Sequence, residues 1–537
     1  MSSFSVVDTE NIDYNAFSYT GLCVDKKYLE NKNVKLSSLL RLETEFTNLP
    51  IEKIYYDLRE YELNGVKYYP YVFGKTLEHD PITGFVKKED ADKLINAVEM
   101  GDEKSLNEIV QFPESVRQFV GFLCQKSCNL IGTDSIIPRT YNIEKIDSEE
   151  MMFEMLEVYG QYLLRSTSFV NYSSSPITPV ILSDLNKFNS VTENSLFRGS
   201  TSGELAGPYI SQFLLTPFYI GAVEMDQKYI VEENFIPESI TREGWFNIQN
   251  GVSPPGVHRT GETSYIHNGQ VLGSVVHNDP LYQLYYNAAI IALANNIKPF
   301  VPVYDSKINQ WTTGGGPDIL ATLAQVSLGA LRVAWENKWN IMRIRPEVFA
   351  QRINSIKNIE SFVGNVPGFA NIKKEMIKGN NILNLVEEQG NLLLPLMYPE
   401  GSPVHPSCPA GHACVAGACV TILKAMFKTH DSEGNDILWN SENRKTRVAV
   451  DANTLVEYEN IPDMTITGEF NKLASNVSIG RDFAGVHYRS DAVNGMYLGE
   501  QYAISFLKDK KSEYYQLYSN WFTHFEFQKF NGDMIIV

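Results

Sequence analysis

Three short stretches of the 537-residue chain place a cation or an imidazole where a helix starts or stops. Together they suit the holding of a small oxyanion. The first, Lys338-Trp-Asn-Ile-Met-Arg-Ile-Arg345, carries two cations to the end of a helical pattern just before the break at Pro346. Cations in a last turn also cap helical carbonyls, so this stretch alone decides little. The second, His405-Pro-Ser-Cys-Pro409-Ala410-Gly411-His412, leads into a run of small residues. A Pro-x-Gly-His turn at a helix start presents unpaired N–H groups and the positive end of the dipole, which is an anion seat. The third, Gly480-Arg481-Asp482-Phe483-Ala484-Gly485-Val486-His487-Tyr488-Arg489-Ser490-Asp491, sets His487 four residues before a carboxylate. That spacing on one helical face lets Asp491 orient the imidazole, although an ordinary surface pair has the same spacing.

Positioning these groups falls to helices. Pro280–Asn295 is apolar nearly all round, as in a helix buried within a bundle. A second helix is predicted from Asp318, with that residue as its N-terminal cap, through five apolar turns. A third starts near Gly411 and a fourth near Phe483, so the core reads as mainly α. Gly251–Tyr265 and Trp311–Asp318 are Gly/Pro-rich loops expected to border a site. The chain divides in texture: residues 1–180 mix aromatic, acidic and turn-forming stretches such as Asp147–Glu157, and are expected to decorate a helical catalytic region over 181–537.

Composition narrows the function classes. With 46 Lys+Arg against 64 Asp+Glu, the net charge of −18 repels nucleic-acid phosphates and anionic membranes. No apolar run reaches the roughly 18 residues of a bilayer-spanning helix, so a soluble protein is expected. The opening MSSFSVVDTENIDYNAF lacks a basic start followed by an apolar core, and no secretory signal is read there. The compartment stays open. Six cysteines are too few to build a disulfide fold, and Cys124/Cys128 and Cys408/Cys414/Cys419 lack zinc-site spacing; they read as buried thiols.

In this order, K-x6-R-P, P-x-G-H and R-x5-H resemble the signature shared by vanadium-dependent haloperoxidases and a class of acid phosphatases. The stretches GELAGPYISQFL (Gly203–Leu214), NDPLYQLYYNAA, IRPE, HPSCPAGHACVAGACVTILKA and GRDFAGVHYRSD look most like the algal and bacterial bromoperoxidases. The likeness spans roughly residues 190–510. It implies a helical fold of two four-helix bundles with long loops, a vanadate cofactor, and oxidation of bromide or iodide by hydrogen peroxide, with a small organic acceptor halogenated. It also implies a homodimer or larger homo-oligomer.

Carried over by position, the resemblance makes His487 the ligand of the metal, with Lys338, Arg345, Arg481 and the Gly411 N–H binding the cofactor's oxygens. His412 becomes the acid/base acting on peroxide. Asp279 is expected to pair with Arg481, against a helix cap as the plain alternative. His405 stands where bromoperoxidases resemble one another in having histidine and chloroperoxidases tend to have phenylalanine, and Trp335 matches a pocket aromatic. Ala410 departs from the usual serine and removes one hydrogen-bond donor to the cofactor. Two rivals remain: a phosphatase on the same scaffold with His487 as nucleophile, and a non-enzymatic protein that keeps the anion pocket without turnover.

Overall fold

The computed structural model describes residues 56–122 and 143–537, apart from 233–237, 255, 257–258, 278, 301–303, 306–307, 310, 359–364, 378, 442–443, 459–462, 519–521 and 523. The readings made on the opening residues and on Cys124/Cys128 therefore fall outside the described residues.

Eight helices frame the site: α1 Glu149–Leu164, α2 Gly269–Val275, α3 Gln283–Ala294, α4 Gly316–Ile341, α5 Pro346–Asn358, α6 Gly411–Met426, α7 Ile466–Phe483 and α8 Arg489–Tyr518. α6 is the axis. All its residues except His412 are buried, and α3, α4, α7 and α8 pack around it. Its small side chains have a steric reason: a Cβ on Gly417 would meet the Met496 carbonyl oxygen at 2.0 Å, and one on Gly499 would meet the Cys414 carbonyl oxygen at 2.0 Å. α6 and α8 thus touch backbone to backbone, and a methyl at either glycine would force them apart. Cys408, Cys414 and Cys419 are free, buried thiols in this core.

The strands form small antiparallel ribbons. One matters for the site: Tyr229–Glu232 pairs with Arg259–Ser264, with a register shift between Ile230 and Glu232. Residues of 56–122 pack on the C-terminal end of α4. Trp339 sits among Tyr69, Val72, Phe73 and Phe122, its indole N–H donates to the Val120 carbonyl at 3.1 Å, and Val72 forms a β-bridge with Arg343.

Several sequence expectations shift here. α4 starts at Gly316 with Gly315 as its cap, and Asp318 in the first turn instead accepts from the Gly314 N–H, Lys510 and Tyr514. The Trp311–Asp318 loop does not border the site: it lies 20 residues before Lys338 on one helix, about 30 Å away at 1.5 Å per residue. The helix expected from near Phe483 begins only at Arg489, as α8; Phe483 is instead the last residue of α7, and residues 484–488 are the break between the two. α7 escapes a periodicity search because ITGEFNKLASNVSIGRDF is rich in weak helix formers. Burial of every one of its residues overrides that propensity.

Candidate oxyanion site

Each of the three stretches reaches one region by a different local device. At the first, α4 ends on Met342, whose left-handed backbone (φ 60°) turns the chain sharply so that Arg343 and Arg345 follow Lys338 inward. All three are buried. The Lys338 ammonium donates to the carbonyls of Pro406 at 2.9 Å and Ser407 at 2.7 Å. The second stretch is thereby tied to the first. Its Ala410 caps α6 with no side-chain acceptor, and the Ala410 N–H is held by the Asp491 carbonyl at 2.9 Å. Gly411 and His412 open the helix, where amide N–H groups lack helical partners.

In the third stretch His487 lies in the break between α7 and α8, so its partnership with Asp491 is not the helical-face pair the spacing suggests. Asp491 sits in the first turn of α8 and accepts from the Tyr488 N–H at 3.2 Å and from the His487 ring. The carboxylate also receives Arg343 Nη1 at 2.7 Å and the Ser407 hydroxyl. Burial raises its pKa, but Arg343, His487 and Ser407 more than offset this and hold the group well below the usual carboxylate range.

An ionised carboxylate only accepts, so His487 carries its proton on Nδ1, 3.0 Å from Asp491 Oδ2. Nε2 then presents a lone pair, which faces Arg345 Nη1 at 3.1 Å. Burial and the nearby Arg345 and Lys338 keep the ring neutral, well below an ordinary histidine. A neutral imidazole with an oriented lone pair is a metal ligand's tautomer.

Arg345 spans the site. Its Nε and Nη2 donate to the His405 carbonyl at 3.1 and 3.0 Å, its Nη2 lies 2.9 Å from His405 Nδ1, and its Nη1 donates to the Val486 carbonyl at 2.7 Å. His405 is buried and neutral for the same reasons as His487, and meets the half-buried Trp335 edge-to-face at 4.4 Å between centroids. The Trp335 ring centroid lies 5.9 Å from the Lys338 ammonium. Arg481, at the end of α7, donates to the Val276 carbonyl at 2.7 Å and the Tyr398 hydroxyl at 3.1 Å.

Asp279 differs from its expected partnership. Its Oδ1 is hydrogen-bonded at 2.8 Å to His412 Nε2, not to Arg481, which acts on it only as a nearby charge. The helix-cap alternative also falls away, since α3 begins four residues later at Gln283 with no side-chain cap. With Nε2–H given to Asp279, Nδ1 is the His412 nitrogen left to exchange a proton.

Among the described residues, Lys338, Arg345 and Arg481 donate to carbonyls, a tyrosine hydroxyl and imidazole nitrogen, and to no carboxylate within 4 Å. Burial and the facing Arg345 push the Lys338 amine well below its ordinary value, and burial lowers Arg345 to about 10. The buried Arg481 Nε has no acceptor among the described residues. Three buried cations with no carboxylate in direct contact among the described residues, beside a helix start and an imidazole lone pair, form a cradle for a compact polyanion. A tetrahedral oxyanion such as vanadate fits that donor set.

Sequence reasoning named Asp491 and Asp279 but missed the rest of the acid side of this arrangement. Arg343 lies within the first motif but was indistinguishable from a helix-end cation. Glu154 and Glu157 sit in the stretch read only as acidic, yet both are buried on α1 and bind Arg343 at 3.2 Å and Arg489 Nε at 2.7 Å. Ser407, His277, Tyr398 and Glu400 likewise carried no spacing signal.

Fold and site define a helical-bundle protein built to seat an oxyanion at helix termini. Residues 318–514 match the family described as the second helical-bundle domain of VCPO. A vanadium-dependent bromoperoxidase of Corallina pilulifera is 28% identical over 86% of this chain and 90% of its own length. Another of Ascophyllum nodosum is 28% identical over 73% of this chain and 72% of its own. The solved homohexameric second bromoperoxidase of Ascophyllum nodosum superposes with a TM-score of 0.76 at 24% identity, covering 100% of this chain and 94% of that one. The chain is thus similar over most of its length to vanadium-dependent bromoperoxidases of algae, and it shares their fold.

Proposed function

We propose that the protein binds vanadate and uses hydrogen peroxide to oxidise bromide, and iodide more easily, to a hypohalous equivalent that halogenates a small organic acceptor. The observation that carries this reading is the cluster of buried cations with no carboxylate in direct contact, gathered near the His487 lone pair that faces Arg345. Bound vanadate supplies Lewis acidity that activates peroxide toward halide. His487 Nε2 binds the metal, with Asp491 fixing the ring's tautomer through Nδ1. Lys338, Arg345 and Arg481 neutralise the oxygens, as the first amides of α6 do at Gly411. Ala410 contributes no hydroxyl. His412 takes the peroxide proton on Nδ1, and Asp279 stabilises the resulting imidazolium through Nε2. His405 and Trp335 form the wall on which halide choice rests, and a His405→Phe variant is expected to gain chloride oxidation relative to bromide.

No helix among the described residues is long and apolar enough to cross a membrane. The homohexameric relative supports self-association of this chain.

The test is bromination of a phenol dye by apo-protein with bromide and peroxide, with and without added orthovanadate, run beside p-nitrophenyl phosphate hydrolysis. Vanadate-dependent bromination with negligible phosphatase turnover is expected. Phosphate-ester hydrolysis without bromination would replace the reading with the phosphatase one, and tight vanadate binding with neither activity would leave an anion-binding protein.

A further inference from the structure

His277 is absent from the chemistry above, yet it stands beside it with both ring nitrogens committed. Nδ1 lies 2.6 Å from Glu232 Oε1 and Nε2 2.9 Å from Glu400 Oε1. Carboxylates that only accept require both nitrogens to donate, so the ring is an imidazolium held between two acids. Burial disfavours the charged ring, but the bonds to Glu232 and Glu400 outweigh it and raise its pKa above the ordinary histidine value. The clamp joins three separated parts of the chain: the ribbon strand Tyr229–Glu232, the turn after α2, and the loop 398–402.

What the clamp holds in place is the wall of the oxyanion seat. The residue before it, Val276, offers its carbonyl to Arg481 at 2.7 Å. Two residues after it, Asp279 holds His412 at 2.8 Å. The flat face of His277 stacks on Tyr398, with centroids 3.6 Å apart and planes 8° from parallel. Tyr398 in turn accepts from Arg481 at 3.1 Å and donates to the Gly273 carbonyl at 2.9 Å. Both side-chain hydrogen bonds of Arg481 among the described residues, and the carboxylate on His412, thus come from residues next to His277 in the chain or stacked on its ring. Loop 398–402 is itself secured, because the Glu400 carbonyl accepts from Arg117 at 3.1 Å and Lys75 at 3.4 Å.

We propose that His277, clamped between Glu232 and Glu400, is a positioning residue that sets the aim of Arg481 and His412 at the bound oxyanion. Residues 276, 277 and 279 lie outside any helix or strand, so the two charge-assisted bonds at His277 replace a helix or ladder as the local anchor. The inference rests on the oxyanion-site reading above.

The test is the double variant His277→Phe/Glu232→Gln. It keeps an aromatic ring on Tyr398 and removes one positive and one negative charge together, so the local net charge is unchanged. The probes are orthovanadate and, as a redox-inert match in shape, inorganic phosphate, each measured by equilibrium binding to full-length protein with thermal unfolding alongside. The expected result is a rise of about tenfold or more in Kd for both anions, in the range usual for loss of outer-sphere support. The KM for peroxide should rise too, because the Asp279–His412 pair loses its anchor. If the folded double variant binds both anions with the wild-type Kd, the proposal is overturned. Should it fail to fold, the isosteric Glu232→Gln variant decides: a several-fold loss of anion affinity at unchanged melting temperature supports the clamp, and unchanged affinity refutes it. Failure of the wild-type protein to bind either anion would count against the oxyanion site itself, which separates the two claims.

Discussion

Two buried arginines, Arg343 and Arg345, stand two residues apart on one turn, and the fold treats them in opposite ways. Arg343 meets Asp491 at 2.7 Å and Glu154 at 3.2 Å, and lies over the Tyr488 ring at 4.4 Å. These partners hold its guanidinium charged far above its already high value despite burial. Arg345 has carbonyls and imidazoles only, and burial drives it the other way. The difference teaches where to find a site in this molecule. A buried cation with its acid beside it is scaffold; one without marks a site only where several converge, because Arg352, held by the Pro70 and Gly84 carbonyls and Gln351, has no carboxylate partner either and stands outside the cradle. Lys338 and Arg481 fall with Arg345, and Arg489, bound to Glu157, falls with Arg343.

The contrast can be broken from either side. The largest effect is expected for His487→Ala, which removes the single imidazole lone pair in the cradle. Vanadate-dependent bromide oxidation should drop by at least about 100-fold, since even supporting groups around a metal are worth 10–100-fold. Retained activity in the dye assay would mean that another group ligates the metal. Next is Asp491→Ala on the scaffold side, which leaves Arg343 buried and short of its main acid. Urea denaturation should show a loss of about 3–5 kcal/mol, the usual cost of orphaning a buried charge. The Asp491 carboxyl is depressed in the folded state, so its stabilisation is present above the unfolded value near 3.9 and lost as pH falls below it. Asp491→Asn should accordingly flatten the acid limb of the wild-type stability curve.

On the cradle side the sign reverses. Lys338→Met removes a buried cation that has no acid, so the anion-free protein should be at least as stable as wild type. Vanadate and phosphate affinity should nonetheless fall roughly 10-fold or more, the worth of one charged hydrogen bond. The folded amine titrates below its unfolded value of about 10.4, so anion-free stability should climb as pH rises toward that value. Saturating phosphate should reduce this climb, and melting scans from pH 6 to 10 with and without phosphate would show it. The smallest change is expected for Ala410→Ser, which restores a hydroxyl beside α6. A neutral hydrogen bond worth about 0.5–1.5 kcal/mol predicts a two- to tenfold gain in vanadate affinity, read by equilibrium dialysis.

The same division explains what was legible in the sequence. The donors of the cradle were readable because each sits at a helix terminus, where a short motif fixes both the break and the residue that follows it. Lys338, Arg345, Gly411, His412, Arg481 and His487 were all named that way, and the structure brings Lys338, Arg345, His405, Arg481 and His487 into one buried neighbourhood. Asp491 was readable from its spacing to His487, but Glu154, Glu232 and Glu400 were not, because they come from distant stretches whose patterns look like solvated charge until the packing is known. Asp279 shows the intermediate case: its place near the site was inferred, but its partner is His412 where Arg481 was expected. α3 and α6 followed from apolar pattern, whereas α7 did not, because its interior is lined with Asn, Ser and Gly that only tertiary burial makes helical.

Diffraction from crystals soaked in orthovanadate would test the central claim most directly. Vanadium density should lie against His487 Nε2, with Lys338, Arg345 and the unpartnered Arg481 Nε turned to its oxygens. Vanadate bound elsewhere on the protein at saturation, with these three cations keeping only their carbonyl, hydroxyl and imidazole partners, would contradict it.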